Sequence, residues 1–99
     1  MSKNVKPWRA QIAAAASQQD AIFDAPVTVT AVFLLKRPQR PKWERHGTRP
    51  DVDKLARALL DGLTGPLLTD DSIVSELNVS KRYALPHEET GVHINVAAW

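Results

Sequence analysis

The stretch that decides the fold is Pro50-Asp-Val-Asp-Lys-Leu-Ala-Arg-Ala-Leu-Leu-Asp-Gly-Leu63. Leucines recur along it every four residues, which is the spacing of an amphipathic helix with one buried face. A proline followed by aspartates is typical of a helix start, and Gly62, Gly65 and Pro66 are typical of a helix end. We therefore expect a helix over Asp53–Leu63 that packs its leucines into the core.

Segments with strand or helix patterns lie on both sides of this helix. Pro26–Lys36 is rich in β-branched residues and becomes apolar on both faces towards its end, which predicts a strand covered on both sides there. Ile73–Tyr83 and Gly91–Trp99 alternate as strands do, and the proline and charged residues of Ala84–Thr90 favour a hairpin connection between them. Val5–Gln19 has helical spacing and comes first in the chain.

The order helix, strand, loop, helix, strand, strand predicts an α+β fold, with a small mixed β-sheet and two main helices packed on it. Of the 99 residues, 43% are apolar, which is enough for one modest core, so we expect a single domain over residues 1–99. No run approaches the roughly 20 apolar residues of a membrane span, and the first residues lack the pattern of a signal peptide. The chain has no cysteine, which excludes disulfide scaffolds and thiolate metal sites and fits a reducing cytoplasm.

Carboxylates lie on both sides of the predicted helix. Asp51 and Asp53 stand at its start, and Asp70 and Asp71 follow it after a short connection. Oxygen ligands suit Mg²⁺, and a connection that runs back along the helix can bring all four carboxylates to one ion. N-capping is the simpler role for an aspartate at a helix start, but capping needs only one. Asp61, two turns along the helix, is expected to be a surface or packing residue.

A basic segment precedes the first acidic pair. Residues 37–50 contain three prolines, which predicts a mobile loop, and six Lys or Arg residues lie between Lys36 and Arg49 against a single acid. Such a strip attracts the phosphates of nucleic acid, although ordinary solvated charges would also explain it. Within the loop, Trp43 either packs the loop onto the domain or stacks on nucleobases. His46 contacts phosphate, acts as a base, or is simply a surface residue.

Two cations lie on the predicted helix near its acidic end. Lys54 and Arg57 each form either a minor salt bridge to an aspartate or a contact to a scissile phosphate. We expect Arg57 to be the more important of the two, with a buried head group near the aspartates. An arginine keeps its proton at ordinary pH, so its role would be to stabilise charge.

The block from Arg49 to Leu77 resembles the RusA family of Holliday junction resolvases, which are found in bacteria and their phages and prophages. Three elements carry the resemblance in the family's order and spacing: Asp-Val-Asp-Lys-Leu from Asp51, Ala-Leu-Leu-Asp-Gly-Leu from Ala58, and Asp-Asp-Ser-Ile-Val from Asp70. Together they are specific, although any one alone would be weak. The resemblance is good over residues 26–83 and looser elsewhere.

The resemblance implies an endodeoxyribonuclease of the bacterial cytoplasm that uses Mg²⁺ or Mn²⁺ and cuts four-way junction DNA by paired symmetric nicks in recombination and repair. It implies a homodimer, because nicking two equivalent strands needs two active sites related by two-fold symmetry. The family's functional aspartates fall at Asp51, Asp53 and Asp71, with Asp70 as an adjacent metal ligand, and the family's catalytic lysine falls at Arg57. We expect DNA contacts from the basic strip and the helix start: Lys36, Arg37, Arg40, Lys42, Arg45, Arg49 and Lys54.

The chain departs from the family at its start, where members usually have an extended strand before the first helix, so we expect a shortened N-terminus. This departure keeps a second hypothesis open: a junction- or duplex-binding module that has lost cleavage. A third hypothesis is a structural or interaction protein in which the carboxylates only cap helix ends and form a solvated surface. Salt-dependent DNA binding separates the third hypothesis from the others, and metal-dependent cleavage separates the first from the second.

Overall fold

A computed structural model describes residues 6–45 and 47–99 of the chain. Its elements are two α-helices and three strands: α1 (Lys6–Ala16), β1 (Val27–Leu35), α2 (Val52–Leu63), β2 (Val74–Tyr83) and β3 (Gly91–Ala98). The predicted α+β class, with a small mixed sheet and two helices, is confirmed. The predicted start of the first helix at Val5 and the roles weighed for His46 lie outside the described residues.

Strand β1 lies at the centre of the sheet, parallel to β2 on one side and antiparallel to β3 on the other. Its residues alternate between buried and half-buried until Phe33, Leu34 and Leu35, which are all buried. The prediction of a strand covered on both faces at its end is therefore confirmed. The central position follows from the same pattern, because β1 buries more apolar side chains than either edge strand.

The hairpin predicted for Ala84–Thr90 is wrong, because β2 and β3 are not neighbours in the sheet. This segment instead crosses the end of β1, where the N–H of Ala84 donates to the carbonyl oxygen of Leu35 at 2.8 Å. Alternation shows which residues of a strand share a face, but it does not show which strands pair. The sequences of β2 and β3 therefore predicted which residues share a face of each strand, but not which strands are paired.

The core lies between α2 and one face of the sheet. The side chains of β1 that face α2, namely Val27, Val29, Ala31 and Phe33, are at most 1% exposed, and they pack with Ile12 of α1 and with Leu55, Leu59 and Leu63 of α2. Trp8 of α1 meets Phe33 edge to face, with ring centroids 5.1 Å apart. Burying each large apolar side chain contributes about 1.5–3 kcal/mol. This layer fixes α2 on the sheet and thereby fixes the residues at both ends of the helix.

Helix α1 crosses α2 at Gly62, which lies inside α2 and is buried. A β-carbon at this position would lie 2.8 Å from Cγ2 of Ile12 and 3.0 Å from the backbone oxygen of Arg9. Such distances are too short for real contacts, so the absence of a side chain is what lets the two helices approach. The sequence pattern had suggested only a helix end for this glycine.

Both helices are short. Helix α1 ends at Ala16 rather than at the predicted Gln19, because its last turn tightens: the N–H of Gln19 donates to the carbonyl oxygen of Ala16, three residues earlier. Helix α2 has 12 residues and starts at Val52, one residue before the predicted start. In the part of the chain that is described, no helix has the length and apolar character needed to cross a membrane.

Candidate active site and nucleic-acid interface

Two carboxylates stand at the start of α2 without being used to cap it. Asp51 is the N-cap residue, with extended backbone angles (φ −69°, ψ 143°), and its carbonyl oxygen accepts from the N–H groups of Lys54 and Leu55 at 3.1 Å. Its side chain makes no capping hydrogen bond. Asp53 lies in the first turn, and both aspartates are exposed. The capping explanation therefore does not account for them.

Lys81 of β2 holds the chain just before these aspartates. Its ammonium group donates to the carbonyl oxygen of Thr48 at 2.6 Å and to that of Pro50 at 2.8 Å. The register of β2 with β1 sets Lys81 opposite Phe33, on the face that carries the core. Sequence reasoning missed this residue, although one signal was present: a lysine at an inward position of an alternating strand, between Val79 and Tyr83.

The second acidic pair lies in a 3₁₀ turn, Asp71–Ile73, that leads into β2. Asp70 caps this turn, since its carboxylate accepts a hydrogen bond of 2.9 Å from the N–H of Ser72. Hydrogen bonding from Ser72, through its side chain first and its backbone second, lowers the pKa of Asp70 below the ordinary value. Asp71 is exposed at the first position of the turn. Asp70 therefore has a local structural role that Asp71 does not share.

The two acidic pairs are associated with opposite ends of β2. Asp70 and Asp71 precede its first residue, Val74. Lys81, whose side chain holds the segment before Asp51, lies further along the same strand, about 23 Å from Val74 at about 3.3 Å per residue. Across residues 6–45 and 47–99, no group of three or more Asp, Glu or His side chains is close enough to hold a metal ion. The expectation that all four carboxylates meet within one chain is therefore wrong.

The reason lies in the connection after α2. The expected return along the helix needs an extended segment, but the chain forms a tight turn directly after α2. The N–H of Leu68 donates to the carbonyl oxygen of Leu63 at 2.9 Å, and the N–H of Gly65 donates to the carbonyl oxygen of Leu68 at 2.7 Å. Leu68 is fully buried at the end of the helix. This compact turn keeps the second acidic pair from running back towards the first.

Arg57 lies on the exposed face of α2, one turn from Asp53 and one turn before Asp61. Residues four apart on a helix have β-carbons about 5–6 Å apart, so these three charges form one stripe on the solvent side. The expected burial of the Arg57 head group is wrong, because the leucines occupy the buried face. In the described chain Arg57 forms no ion pair with an aspartate.

The basic strip is exposed along its whole described length. All seven residues expected to contact DNA are exposed: Lys36, Arg37, Arg40, Lys42, Arg45, Arg49 and Lys54. Trp43 is 53% exposed and stays outside the core cluster, and it lies against Gly47 of its own loop. The alternative in which Trp43 packs the loop onto the domain is therefore not what the structure shows. A groove of about 820 Å³ separates the start of this loop from the segment after β2.

The carboxylates have the oxygen donors that a hard divalent cation prefers, but they are not clustered around a common point. Asp51, Asp53 and Asp71 offer exposed oxygens, the donors that Mg²⁺ prefers. Among the described residues, none of these three side chains is engaged in a hydrogen bond or an ion pair. Within the described part of one chain, however, no three such groups lie close enough together to hold a metal ion.

The chain matches a known protein family over nearly its whole length. The family described as Endodeoxyribonuclease RusA matches residues 1–97, which include both acidic segments and the basic strip. Among curated proteins, none matches the chain.

Proposed function

This chain belongs to the RusA endodeoxyribonuclease family, and we propose that it resolves Holliday junctions by cutting four-way DNA with paired symmetric nicks. The family match over residues 1–97 is the observation that carries the proposal, because it spans every residue assigned below. The exposed basic strip beside the helix start supports it, since phosphate contacts supply most of the affinity of such proteins for DNA.

We assign Asp51, Asp53 and Asp71 as ligands of a divalent cation, Mg²⁺ or Mn²⁺, with Asp70 adjacent. When bound, the ion would supply an activated water and neutralise charge on the phosphate. Asp51 and Asp53 are available to a cation because both are exposed at the start of α2 and the Asp51 side chain makes no capping hydrogen bond. Arg57, one turn along the same exposed face, stabilises negative charge that builds on the phosphate.

Two copies of the chain complete each site in this proposal. One copy contributes Asp51 and Asp53 from the start of α2, and the other contributes Asp71 from the turn before β2. The separation of the two acidic segments along β2 supports this arrangement. A two-fold axis repeats the contact, so the dimer has two equivalent sites, one for each strand that is nicked.

The basic strip has a separate role in binding. Its six cations contact the DNA backbone on either side of the branch point, and Lys54 lies where that path reaches the helix start. Phosphate contacts fix register and orientation rather than sequence. Selectivity for a junction therefore has to come from the shape of the DNA and from the spacing of the two sites in the dimer.

A DNA-binding module without cleavage is the second candidate, and one observation favours it. Among the residues that the structure describes, no three carboxylates are grouped for metal binding, as they would be in a preformed single-chain centre. Such a module would bind junction or duplex DNA with the same salt dependence and would release no product.

Cleavage of a four-way junction with labelled strands separates the candidates. We expect paired nicks with Mg²⁺, no product with a chelator, and no product from Asp53→Asn, which should bind as tightly as the wild type or more tightly because a negative charge is gone. Asp61→Asn is the matched control, since Asp61 lies on the same exposed stripe two turns along. Wild-type binding without cleavage at any metal concentration would favour the module, and absence of binding would exclude both.

A further inference from the structure

Trp43 exposes a large aromatic surface inside the basic strip. Its side chain is 53% exposed, whereas Trp8 packs against Phe33 in the core. Burial of an indole contributes more than burial of most side chains, so a half-exposed tryptophan in a polar loop suggests a contact that the isolated chain does not make.

The indole is supported from within the loop. A β-carbon at Gly47 would lie 2.9 Å from Cδ1 and 3.3 Å from Nε1 of Trp43, so the glycine backbone lies directly against the five-membered ring. The next residue, Thr48, accepts the 2.6 Å hydrogen bond from Lys81 of β2. Trp43 therefore rests on a segment tied to the sheet, and a side chain presented in this way loses less conformational entropy on binding.

The surroundings of Trp43 are cationic. The ammonium group of Lys42 lies 5.3 Å from the centroid of the Trp43 ring, and Arg40 and Arg45 flank the pair with exposed side chains. An aromatic platform among cations is the arrangement that holds an unpaired nucleic-acid strand, with bases stacked on the ring and phosphates held by the charges. A protein partner would need a matching acidic surface, whereas DNA supplies the negative charge along its whole length.

We propose that Trp43 stacks on a nucleobase at the branch point of the junction, and this inference rests on the proposed function. Bases inside a duplex already have stacking partners on both faces, so the indole gains nothing there. At the branch point the continuous stack of bases is interrupted, and a base that lacks a stacking neighbour can stack on the indole. Trp43 thus contributes selectivity for the junction, while the cations around it contribute affinity for any DNA.

Binding measured in an Asp53→Asn background, where cleavage does not interfere, tests this. We expect Trp43→Ala to weaken junction binding by about 10-fold or more while duplex binding changes by less than about twofold, since stacking on one base corresponds to that range. Trp43→Phe should retain most of the affinity, and Trp43→Leu should not. Trp99→Ala is the matched control, because Trp99 is 80% exposed and lies outside the basic strip.

A junction carrying 2-aminopurine at the branch point gives a second readout. The parent protein should change the emission of this base, and Trp43→Ala should not. Unchanged junction affinity and unchanged emission with Trp43→Ala would overturn the inference while leaving the proposed function intact. Loss of self-association in Trp43→Ala would identify the indole as a contact between copies and would also overturn it. If the parent protein did not bind the junction, both the proposed function and this inference would be contradicted.

Discussion

The ammonium group of Lys81 donates a 2.8 Å hydrogen bond to the carbonyl oxygen of Pro50, the residue directly before Asp51. Through this contact β2 holds the backbone directly before α2. The backbone of Thr48 accepts a second hydrogen bond from the same group. Lys81 therefore links the sheet, the basic strip and the first acidic pair, although it touches no carboxylate among the described residues.

Replacing Lys81 by methionine should loosen the start of α2. The variant keeps most of the side-chain stem and loses both hydrogen bonds, so we expect the free energy of unfolding to fall by about 1–2 kcal/mol. Cleavage should then require a higher Mg²⁺ concentration for its half-maximal rate, because Asp51 is less well positioned. Ser80→Ala, on the opposite face of the same strand, is the control. An unchanged Mg²⁺ requirement would show that Lys81 serves stability alone.

Gly62→Ala should destabilise the fold although alanine favours helices. The added methyl group would meet Ile12 and the backbone oxygen of Arg9, and the backbone cannot move aside as a flexible side chain can. We expect a loss of about 1–3 kcal/mol in the free energy of unfolding, measured by denaturant titration. Asp61→Ala, exposed on the neighbouring position, should change stability little. Equal stability of the two variants would contradict the close contact of α1 with α2.

Arg82 and Glu88 form a two-armed ion pair that fastens the segment after β2, with distances of 2.8 and 2.9 Å. Hydrogen bonding from Arg82, followed by that from the N–H of Leu85, lowers the pKa of Glu88 from 4.5 to about 2. Because the folded pKa is the lower one, the contribution to stability is present above about pH 4.5 and is lost as the pH falls through about 2. NMR titration of the Glu88 carboxyl should show this midpoint, and Arg82→Met should move it back towards the ordinary value. A normal midpoint in the wild type would mean that the pair does not persist in solution.

The basic strip should account for a measurable share of the salt dependence of DNA binding. Each lost phosphate contact lowers the slope of log affinity against log salt by about 0.9 for duplex DNA. The double substitution Arg40→Gln with Arg45→Gln should therefore reduce the slope by up to about 2, for junction and duplex alike. Arg9→Gln, an exposed cation on α1, should leave it unchanged. If both variants gave the wild-type slope, the DNA path would not follow this strip.

Local patterns predicted the elements well and their long-range arrangement poorly. The leucine spacing placed α2 to within one residue, and the change from alternation to a fully apolar run identified the covered end of β1. The pairing of β2 with β1 rather than with β3 depends on contacts between distant residues, which no local period records. The same limit applies to the acidic segments, whose separation is set by the compact turn that Leu68 closes on Leu63.

The identity of the site residues remains a prediction from the sequence and the family. The exposure of Asp51, Asp53 and Asp71 is compatible with metal binding, and the absence of a capping bond at Asp51 removes one competing explanation. Arg57 is exposed, whereas the sequence had predicted a buried head group. Its proposed role therefore depends on the DNA itself, which would cover the exposed face of α2 when bound.

The central claim is that Asp53 of one copy acts with Asp71 of another, and mixed dimers test it most directly. Asp53→Asn and Asp71→Asn chains, co-expressed with different tags and purified as the heterodimer, contain one site with both substitutions and one site with neither. Asp51→Asn paired with Asp53→Asn is the matched control, since every site in that heterodimer carries a substitution.

The measurement is the number of strands nicked in a labelled four-way junction with Mg²⁺. We expect each variant alone to be inactive and the Asp53→Asn/Asp71→Asn heterodimer to nick a single strand, at about half of the wild-type number of nicks because one of two symmetric sites is intact. The control heterodimer should release no product. An inactive Asp53→Asn/Asp71→Asn heterodimer, prepared beside a wild-type protein that cuts both strands, would contradict the claim that two copies share each site.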